Sequence, residues 1–262
     1  MNSKILNELL NPAAEPVTLH CPAHGDYAGE IRRLLSREVK TPCPQCAAEQ
    51  AEADRVAAEA RAVEARRRER AARYRAAGLP LRFWERDFEG YRTRTPEQRK
   101  ALATVRRYAE QFAALAERGT CLLLCGGPGT GKTHLAVALA KNLLEEGYDV
   151  RYGGVRPLLR EIRETWGTPG ARESKAIGRL IEHDLLILDE VGMQFGSDAE
   201  LLLFDVLNGR YEALRPTVLA SNLSVEELPD CLGARLMDRL RENGGVVVPF
   251  TWASERGLRR AA

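Results

Sequence analysis

Long apolar runs are missing from this chain of 262 residues, although hydrophobic residues make up 44% of it. No apolar stretch approaches the roughly 20 residues that a membrane-spanning helix needs. The first residues, MNSKILNELLNP, also lack the basic start and the apolar centre of a secretion signal. We therefore expect a cytoplasmic protein that does not enter a membrane.

An excess of one charge sign is also missing, because 39 Lys and Arg residues face 37 Asp and Glu residues and the net charge is only +2. Any surface that binds nucleic acid must therefore be local. The six cysteines are not expected to form disulfides in the cytoplasm. Their spacing is more informative than their number.

A glycine-rich stretch over residues 126–133, GGPGTGKT, fits the phosphate-binding template G-x-x-x-x-G-K-[ST] at every fixed position. The apolar run 121–125 before it predicts a buried parallel strand, and the apolar residues after it predict a helix. In this setting backbone amides and the helix N-terminus hold phosphates, Lys132 reaches the β- and γ-phosphates, and Thr133 contacts Mg²⁺. A glycine-rich turn without a ligand is the alternative.

Two adjacent carboxylates end a second apolar run, over residues 184–190. Such a pair is costly at the end of a buried strand unless a cation is present. This is a Walker B arrangement, in which Asp189 holds the Mg²⁺ shell and Glu190 orients or deprotonates the attacking water. The residues assigned to ATP or ADP are Gly127, Pro128, Gly129, Thr130, Gly131, Lys132, Thr133, His134 and Asp189.

Two later features extend the predicted site. Asn222 follows a predicted strand over 217–221, where its amide can position the water or sense the γ-phosphate, although it is also a common turn residue. A predicted helix over 233–241 carries Arg235 and Arg239 four residues apart, and therefore on one face. Arginines presented to a neighbouring subunit's γ-phosphate would act as fingers in trans.

Near the N-terminus, Cys21 and His24 form one C-x-x-[CH] pair, and Cys43 and Cys46 form another. Thiolate and imidazole ligands at this spacing predict a tetrahedral, structural Zn²⁺ site. His20 is a competing ligand, but the two-residue spacing favours His24. Unmetallated surface cysteines are the alternative.

Residues 47–77 are almost all strong helix formers and predict a long, solvated connecting helix. Six arginines lie between residues 66 and 75, where a solvated face is favoured over a phosphate-binding one. Residues 2–10 have the pattern of a short amphipathic helix that packs on the next module or binds a partner. The length fits one core-bearing domain with an appendage, and the predicted boundaries are 1–46, 47–78 and 79–262.

The segment 78–91 is rich in aromatic and turn residues and precedes a predicted helix over 96–118. In P-loop ATPases of this layout the segment entering the domain commonly borders the adenine. Phe83, Trp84 and Phe88 would alternatively cap the core, and both interpretations can hold together.

With these motifs in view, the chain resembles the DnaC-type helicase loaders of the AAA+ superfamily, especially phage-like versions with a zinc-bearing N-terminus. The resemblance runs from about Leu79 to Trp252. It is carried, in order, by LPLRFWERDFEGY, GGPGTGKTH, DLLILDEVGMQ, LASN and GARLMDRLR. It implies an α/β fold with a P-loop AAA+ ATPase core, in which helices flank a parallel sheet. The C-terminal helical lid of most AAA+ proteins is expected to be absent, since little sequence follows residue 250.

The resemblance also implies function. It implies ATP hydrolysis as a switch, with the replicative hexameric helicase and single-stranded DNA as partners. Arg239 is implied as the arginine finger, with Arg235 as its companion, in a self-assembling protein. In this family an aromatic residue in the helix after the second strand contacts DNA. Trp166 is at the corresponding position, and the resemblance therefore implies that Trp166 contacts DNA beside Arg160 and Arg163.

Two other functions compete with this one. The ATPase core is similar to that of transposition helpers of the IstB type, which assemble on double-stranded DNA and recruit a transposase. The zinc module and connecting helix favour the loader, since they suit a protein-docking arm. A metabolic P-loop kinase is disfavoured, because no substrate lid or acceptor pocket is evident.

Overall fold

The computed structural model describes residues 14–34, 37–164, 173–192 and 197–256. The chain divides into two compact units, residues 1–69 and 70–262. The predicted helix over residues 2–10 lies outside the described residues, as does Trp166. The domain boundaries predicted at residues 46 and 78 stay predictions.

The first unit contains a three-stranded antiparallel sheet of strands β1 (Ala14–Cys21), β2 (Gly25–Leu34) and β3 (Arg37–Lys40), in that order. The tight β1–β2 turn pairs Cys21 with Gly25, which has a φ angle of 78°. Sequence reasoning did not predict these strands. In β1, Val17, Leu19 and Cys21 alternate with polar residues, but this run is short, and Val17 and Val39 are exposed, so the pattern gives only a weak strand signal.

Helix α1 (Pro44–Ala76) follows the sheet and corresponds to the connecting helix predicted over 47–77. Alanine, glutamate and arginine dominate it, and Tyr74 is its only buried residue. Ion pairs three or four residues apart, such as those from Arg55 to Glu52 and Glu59, line its surface. Most of this helix is therefore solvated, as its composition predicts.

The second unit is built on a five-stranded parallel sheet with the order β5-β6-β7-β4-β8. Its strands are β4 (Leu122–Gly126), β5 (Val150–Gly154), β6 (Leu185–Val191), β7 (Thr217–Ser221) and β8 (Val246–Phe250). Its helices are α2 (Pro96–Glu110), α3 (Phe112–Ala116), α4 (Lys132–Glu145), α5 (Val155–Arg163), α6 (Glu173–Glu182), α7 (Ser197–Glu212), α8 (Leu228–Leu232) and α9 (Ala234–Arg241).

Helices cover both faces of this sheet, so its central strands are buried and read as continuous apolar runs. Helices α2 and α4 contribute to the core cluster on one face, and helices α5, α7 and α9 contribute to the cluster on the other. The helix predicted over 96–118 is divided at Gln111, whose φ and ψ of −103° and 11° lie outside the helical range. The predicted α/β architecture is confirmed.

Within the described residues, β8 is followed only by an irregular segment, residues 251–256. No helix of the described residues is long and apolar enough to cross a membrane.

Candidate functional site

The phosphate-binding loop connects the end of β4 to the start of α4. Gly126 and Gly131 have positive φ angles of 138° and 103°. A Cβ atom at Gly126 would lie 2.2 Å from the carbonyl oxygen of Phe250, and one at Gly131 would lie 2.8 Å from the ring of Tyr91. Backbone conformation and close neighbours therefore both require glycine at these positions.

Lys132 begins α4 and is buried. Its ammonium group donates hydrogen bonds to the carbonyl oxygens of Gly126 and Gly127, at 2.6 and 2.7 Å. Burial lowers the pKa of this group, and the nearby charge of Asp189 opposes the shift. The lysine thus folds over the loop and brings its positive charge to the space where phosphates would lie.

Asp189, near the end of β6, is buried and accepts two hydrogen bonds on one carboxylate oxygen. The Thr133 hydroxyl donates to Oδ2 at 2.8 Å, and the Tyr152 hydroxyl donates to the same atom at 2.6 Å. Burial, together with the charge of Asp189, raises the pKa of Tyr152, which keeps the phenol protonated as a donor. The hydroxyl and carboxylate predicted to hold Mg²⁺ are therefore already in contact.

Glu190 follows directly, and its backbone N–H donates to Asp189 Oδ1 at 2.8 Å. Its φ angle is 61°, a left-handed value that is unusual for a residue other than glycine and is often found at functional sites. Its side chain is exposed and lines a cavity next to the phosphate loop. Adjacent acids at one strand end thus have different environments, one buried and hydrogen-bonded, the other open to solvent.

These groups border a cavity of about 490 Å³ in the second unit. Its walls are residues 128–134 of the loop, the carboxylates of β6, Asn222 after β7, and parts of the segments 82–98 and 255–256. The volume is within the usual range for small-molecule sites, about 300–1,000 Å³. The structure thus places Lys132, Thr133, His134, Asp189, Glu190 and Asn222 around one cavity.

The aromatic segment before α2 takes both of the positions expected for it. Phe83 lines the cavity, while Phe88 is buried in the core. Trp84 packs edge-on against Tyr74 and donates from Nε1 to the carbonyl oxygen of Leu79 at 3.0 Å. Contact of Phe83 with adenine stays a prediction.

Arg235 and Arg239 are not among the residues that line this cavity. Arg235 is exposed on α9. The Arg239 guanidinium group donates a hydrogen bond to Asn208 and lies 5.2 Å from the ring centre of Tyr211 on α7. Within the described residues, neither arginine therefore reaches the phosphate loop of its own chain.

The four predicted zinc ligands come together in the first unit. The Sγ atoms of Cys21, Cys43 and Cys46 and a ring nitrogen of His24 all lie within 4.8 Å of one another. His24 Nδ1 is 3.2 Å from Cys46 Sγ, and its Nε2 is 3.1 Å from Glu49 Oε1. Backbone amides lower the pKa of Cys21 to about 6, which favours a thiolate.

His20 contacts Asp26 at 2.6 Å and is not part of this cluster. Three soft thiolate donors and one imidazole fit tetrahedral Zn²⁺ without an open position. The arrangement therefore suits a structural metal, as the spacing predicts.

Helix α5 carries the two arginines assigned to DNA. Arg160 and Arg163 are exposed, whereas Leu158, Leu159 and Ile162 of the same helix are buried against the sheet. Residues 165–172, which include the predicted stacking residue, are outside the described residues. The DNA contact stays a prediction.

Sequence reasoning missed Tyr91, Tyr152 and Arg256, all of which are near the phosphate loop. Tyr91 donates to the carbonyl oxygen of Thr130 at 3.3 Å and stacks edge-on with His134. Tyr152 reaches Asp189 across the neighbouring strand, and Arg256 lies on the irregular segment after β8, so neither position is marked by a motif next to the loop.

Parallel strand order, phosphate loop and paired strand-end acids together define a P-loop nucleotide-binding protein of the AAA+ architecture. A family model described as IstB-like ATP binding protein matches residues 45–248, so the chain belongs to that family.

Curated relatives agree with this assignment. The replicative helicase loader DnaC of Escherichia coli (strain K12) is 34% identical over 170 residues, which are 64% of this chain and 68% of the relative. The loader DnaC of Buchnera aphidicola subsp. Schizaphis graminum is 32% identical over 182 residues, 69% of this chain and 73% of the relative. The resemblance to DnaC-type loaders is confirmed.

Solved structures give the same fold. A crystal structure of the DnaC helicase loader matches with a TM-score of 0.57 and 25% identity, and the match covers 65% of this chain and 99% of that one. A DnaI structure matches with a TM-score of 0.55 and 22% identity, covering 68% and 94% of the two chains, and supports the fold alone.

Proposed function

We propose that this protein is an ATP-dependent loader of a replicative hexameric DNA helicase. One observation carries the proposal. This chain has the expected ATP-site residues around one cavity, and it is 34% identical to proteins named replicative helicase loaders. ATP binding and hydrolysis would act as the switch between helicase-bound and released states. A metabolic kinase is disfavoured, because a kinase needs a second substrate that accepts the phosphate. The matched family and relatives are described as an ATP binding protein and as helicase loaders.

The site residues divide the ATPase chemistry among them. The loop amides and Lys132 bind the phosphates, while Thr133 and Asp189 would hold Mg²⁺, which neutralises developing charge on the phosphate oxygens. Glu190 faces the cavity and accepts a proton from the water that attacks the γ-phosphorus, as ADP leaves. Asn222 orients that water or senses the γ-phosphate.

Self-assembly is part of the proposal, because the arginines of α9 do not line their own cavity. A neighbouring subunit would receive Arg239 at its γ-phosphate, with Arg235 in the subunit contact. The first unit would hold one Zn²⁺ through Cys21, His24 and Cys43 together with Cys46, and would dock on the helicase.

Single-stranded DNA is the proposed nucleic-acid partner. The exposed face of α5 offers Arg160 and Arg163 for phosphate contacts, with Trp166 as the stacking residue. Aromatic stacking next to cationic side chains is the usual basis of single-strand binding.

The test uses the purified full chain, the replicative helicase of the same cell and single-stranded DNA covered with single-strand-binding protein. The wild type should form a complex with the helicase and allow it to unwind the coated DNA. Lys132→Ala should weaken nucleotide binding, whereas Glu190→Gln should bind ATP, hydrolyse it slowly and hold the helicase in the complex. Failure to bind the helicase would overturn the loader function, and equal loss of nucleotide binding in both variants would overturn the role of Glu190.

The family description favours one second function, that of an IstB-type transposition helper. This protein would then prefer double-stranded DNA and bind a transposase instead of a helicase. Binding to single- and double-stranded oligonucleotides of equal length, measured at the same salt concentration, separates the two functions.

A further inference from the structure

The irregular segment after β8, residues 251–256, lies against the outer side of the phosphate loop. The backbone N–H of Glu255 donates to the carbonyl oxygen of Gly129 at 2.9 Å. The indole N–H of Trp252 donates to the carbonyl oxygen of Thr130 at 3.0 Å. A Cβ atom at Gly129 would lie 2.1 Å from Ser254 Oγ, so glycine at this loop position leaves room for the segment.

These contacts satisfy carbonyl groups of the phosphate-binding loop. The loop binds anions through backbone N–H groups that point inward, and its carbonyl groups then point outward and need donors. The 251–256 segment supplies two such donors. It therefore helps to hold the amide groups in the orientation that phosphates require.

The segment is itself fixed at a second place, the start of helix α2. Glu255 Oε1 accepts a hydrogen bond from Gln98 Nε2 at 2.9 Å, and Arg94 lies 3.6 Å from its other carboxylate oxygen. Gln98 is buried and also completes the capping box of α2 with Thr95. Glu255 is thus held through its backbone N–H by the phosphate loop and through its carboxylate by Gln98 and Arg94. These contacts fix where the next residue, Arg256, begins.

Arg256 lines the cavity together with Gly129 and Lys132. Its Cγ lies 3.2 Å from the position that a Cβ of Gly129 would take. Burial lowers the pKa of the Lys132 ammonium group, and the positive charge of Arg256 adds a smaller effect in the same direction. The Arg256 guanidinium group forms no ion pair within the described residues. Cationic residues also outnumber carboxylates on the cavity wall.

We propose that Arg256 binds the phosphate chain of the nucleotide from the same subunit, which makes the 251–256 segment part of the nucleotide site. The inference rests on the proposed ATP site and adds a residue to it. A guanidinium group matches phosphate oxygens in geometry and charge. A solvated surface arginine is the competing interpretation.

The experiment compares Arg256→Ala and Arg256→Lys with two controls. Arg118→Ala removes one charge from an exposed position outside the cavity, and Arg82→Ala removes one from another residue that lines the cavity. The probes are a fluorescent ATP analogue with Mg²⁺ and inorganic tripolyphosphate, which competes for the phosphate positions alone. Circular dichroism confirms that each variant is folded.

We expect Arg256→Ala to weaken the binding of both probes by about tenfold, as the loss of a charge-assisted hydrogen bond predicts. Arg256→Lys should recover most of this loss, and Arg118→Ala should change nothing. Tripolyphosphate binding that is unchanged in Arg256→Ala, or reduced to the same extent in Arg82→Ala, would overturn the inference. If the wild type binds neither probe, the proposed ATP site itself is wrong.

Discussion

Asp189 is the residue at which three parts of the site meet. Helix α4 contributes Thr133, strand β5 contributes Tyr152, and both hydroxyl groups donate to the same carboxylate oxygen. Asp189 pairs with Gly154 in the register of the two strands, and Gly154 has no side chain. Tyr152, two residues earlier on the same strand face, can therefore reach the carboxylate diagonally.

We predict that Tyr152→Phe leaves the fold intact but raises the Mg²⁺ concentration needed for half-maximal ATP hydrolysis by about tenfold. The lost hydrogen bond frees the Asp189 carboxylate to rotate, and partners of metal ligands commonly have effects of this size. The measurement is ATPase rate against Mg²⁺ concentration. Tyr148→Phe is the matched control, since Tyr148 packs against Phe112 away from the cavity. An unchanged Mg²⁺ dependence in Tyr152→Phe would show that the hydroxyl does not position Asp189.

The sequence was sufficient for residues whose role depends on local spacing. The loop residues and the Asp189–Glu190 pair are fixed by short motifs next to apolar strands, and the structure brings them together. It was not sufficient for Tyr152, because its contact depends on the register between β5 and β6. Strand β6 begins as a continuous apolar run, so the sequence carries no alternation that would set its register against β5.

At the scale of elements, Arg210 of α7 connects three pieces of the second unit. Its side chain is fully buried, and burial lowers its pKa to about 10. It donates to carbonyl oxygens in and just after the last turn of α6, to the carbonyl oxygen just before β7, and to the first side chain of β7. These acceptors are Leu180 O, Ile181 O, His183 O, Pro216 O and Thr217 Oγ1. The last carbonyls of a helix have no partner within it, so this arginine acts as their cap.

We predict that Arg210→Ala lowers the free energy of unfolding by about 3–5 kcal/mol, since it leaves several buried carbonyl groups without donors. Arg210→Lys should recover little, because an ammonium group has too few donors to replace the guanidinium group. Urea unfolding followed by circular dichroism measures the loss. Arg99→Ala, an exposed change on α2, should alter stability by less than about 0.5 kcal/mol. A similar small effect for Arg210→Ala would contradict the capping role.

The zinc cluster is built from two elements, the β1–β2 turn and the start of α1. The ligand spacing alone predicted the cluster, whereas the strands around it were not predicted. In a small module the metal replaces much of the apolar core, and the periodic hydrophobic pattern of strands is correspondingly weak. Local ligand chemistry was thus a better guide here than hydrophobicity.

We predict that Glu49→Gln weakens Zn²⁺ binding by about tenfold, because the Glu49 carboxylate accepts from His24 Nε2 and so keeps Nδ1 free to bind the metal. Competition with a chromophoric chelator measures the affinity. Glu52→Gln is the control, since Glu52 lies one turn further along α1 and pairs with Arg55. Equal affinities for the two variants would remove Glu49 from the zinc site.

At the scale of the whole molecule, the division into two units separates the proposed metal from the proposed nucleotide. The zinc ligands all lie in the first unit, and every residue that lines the cavity lies in the second. Among the described residues, Arg239 is the arginine proposed to make ATP turnover depend on another copy of the chain, and it does not line its own cavity. Helix α7 supports this arginine through Asn208 and the ring of Tyr211.

Self-assembly would make the ATPase activity of one chain depend on an arginine of another. If Arg239 serves a neighbouring subunit, Arg239→Ala should keep the ATP affinity of the wild type and lose most of its ATPase activity. A finger contributes about 10³-fold or more where turnover is fast, and less in a slow switch.

Lys132→Ala should be inactive for the opposite reason, because its phosphate loop is defective while its arginine is intact. A mixture of the two variants forms some sites with an intact loop from one chain and an intact arginine from the other, and part of the activity should return. The measurement is ATPase rate against protein concentration with single-stranded DNA present, and Arg235→Ala should reduce both assembly and turnover. A wild-type rate per chain that is independent of concentration, with no recovery in the mixture, would mean that the Arg239 contact with α7 is purely structural.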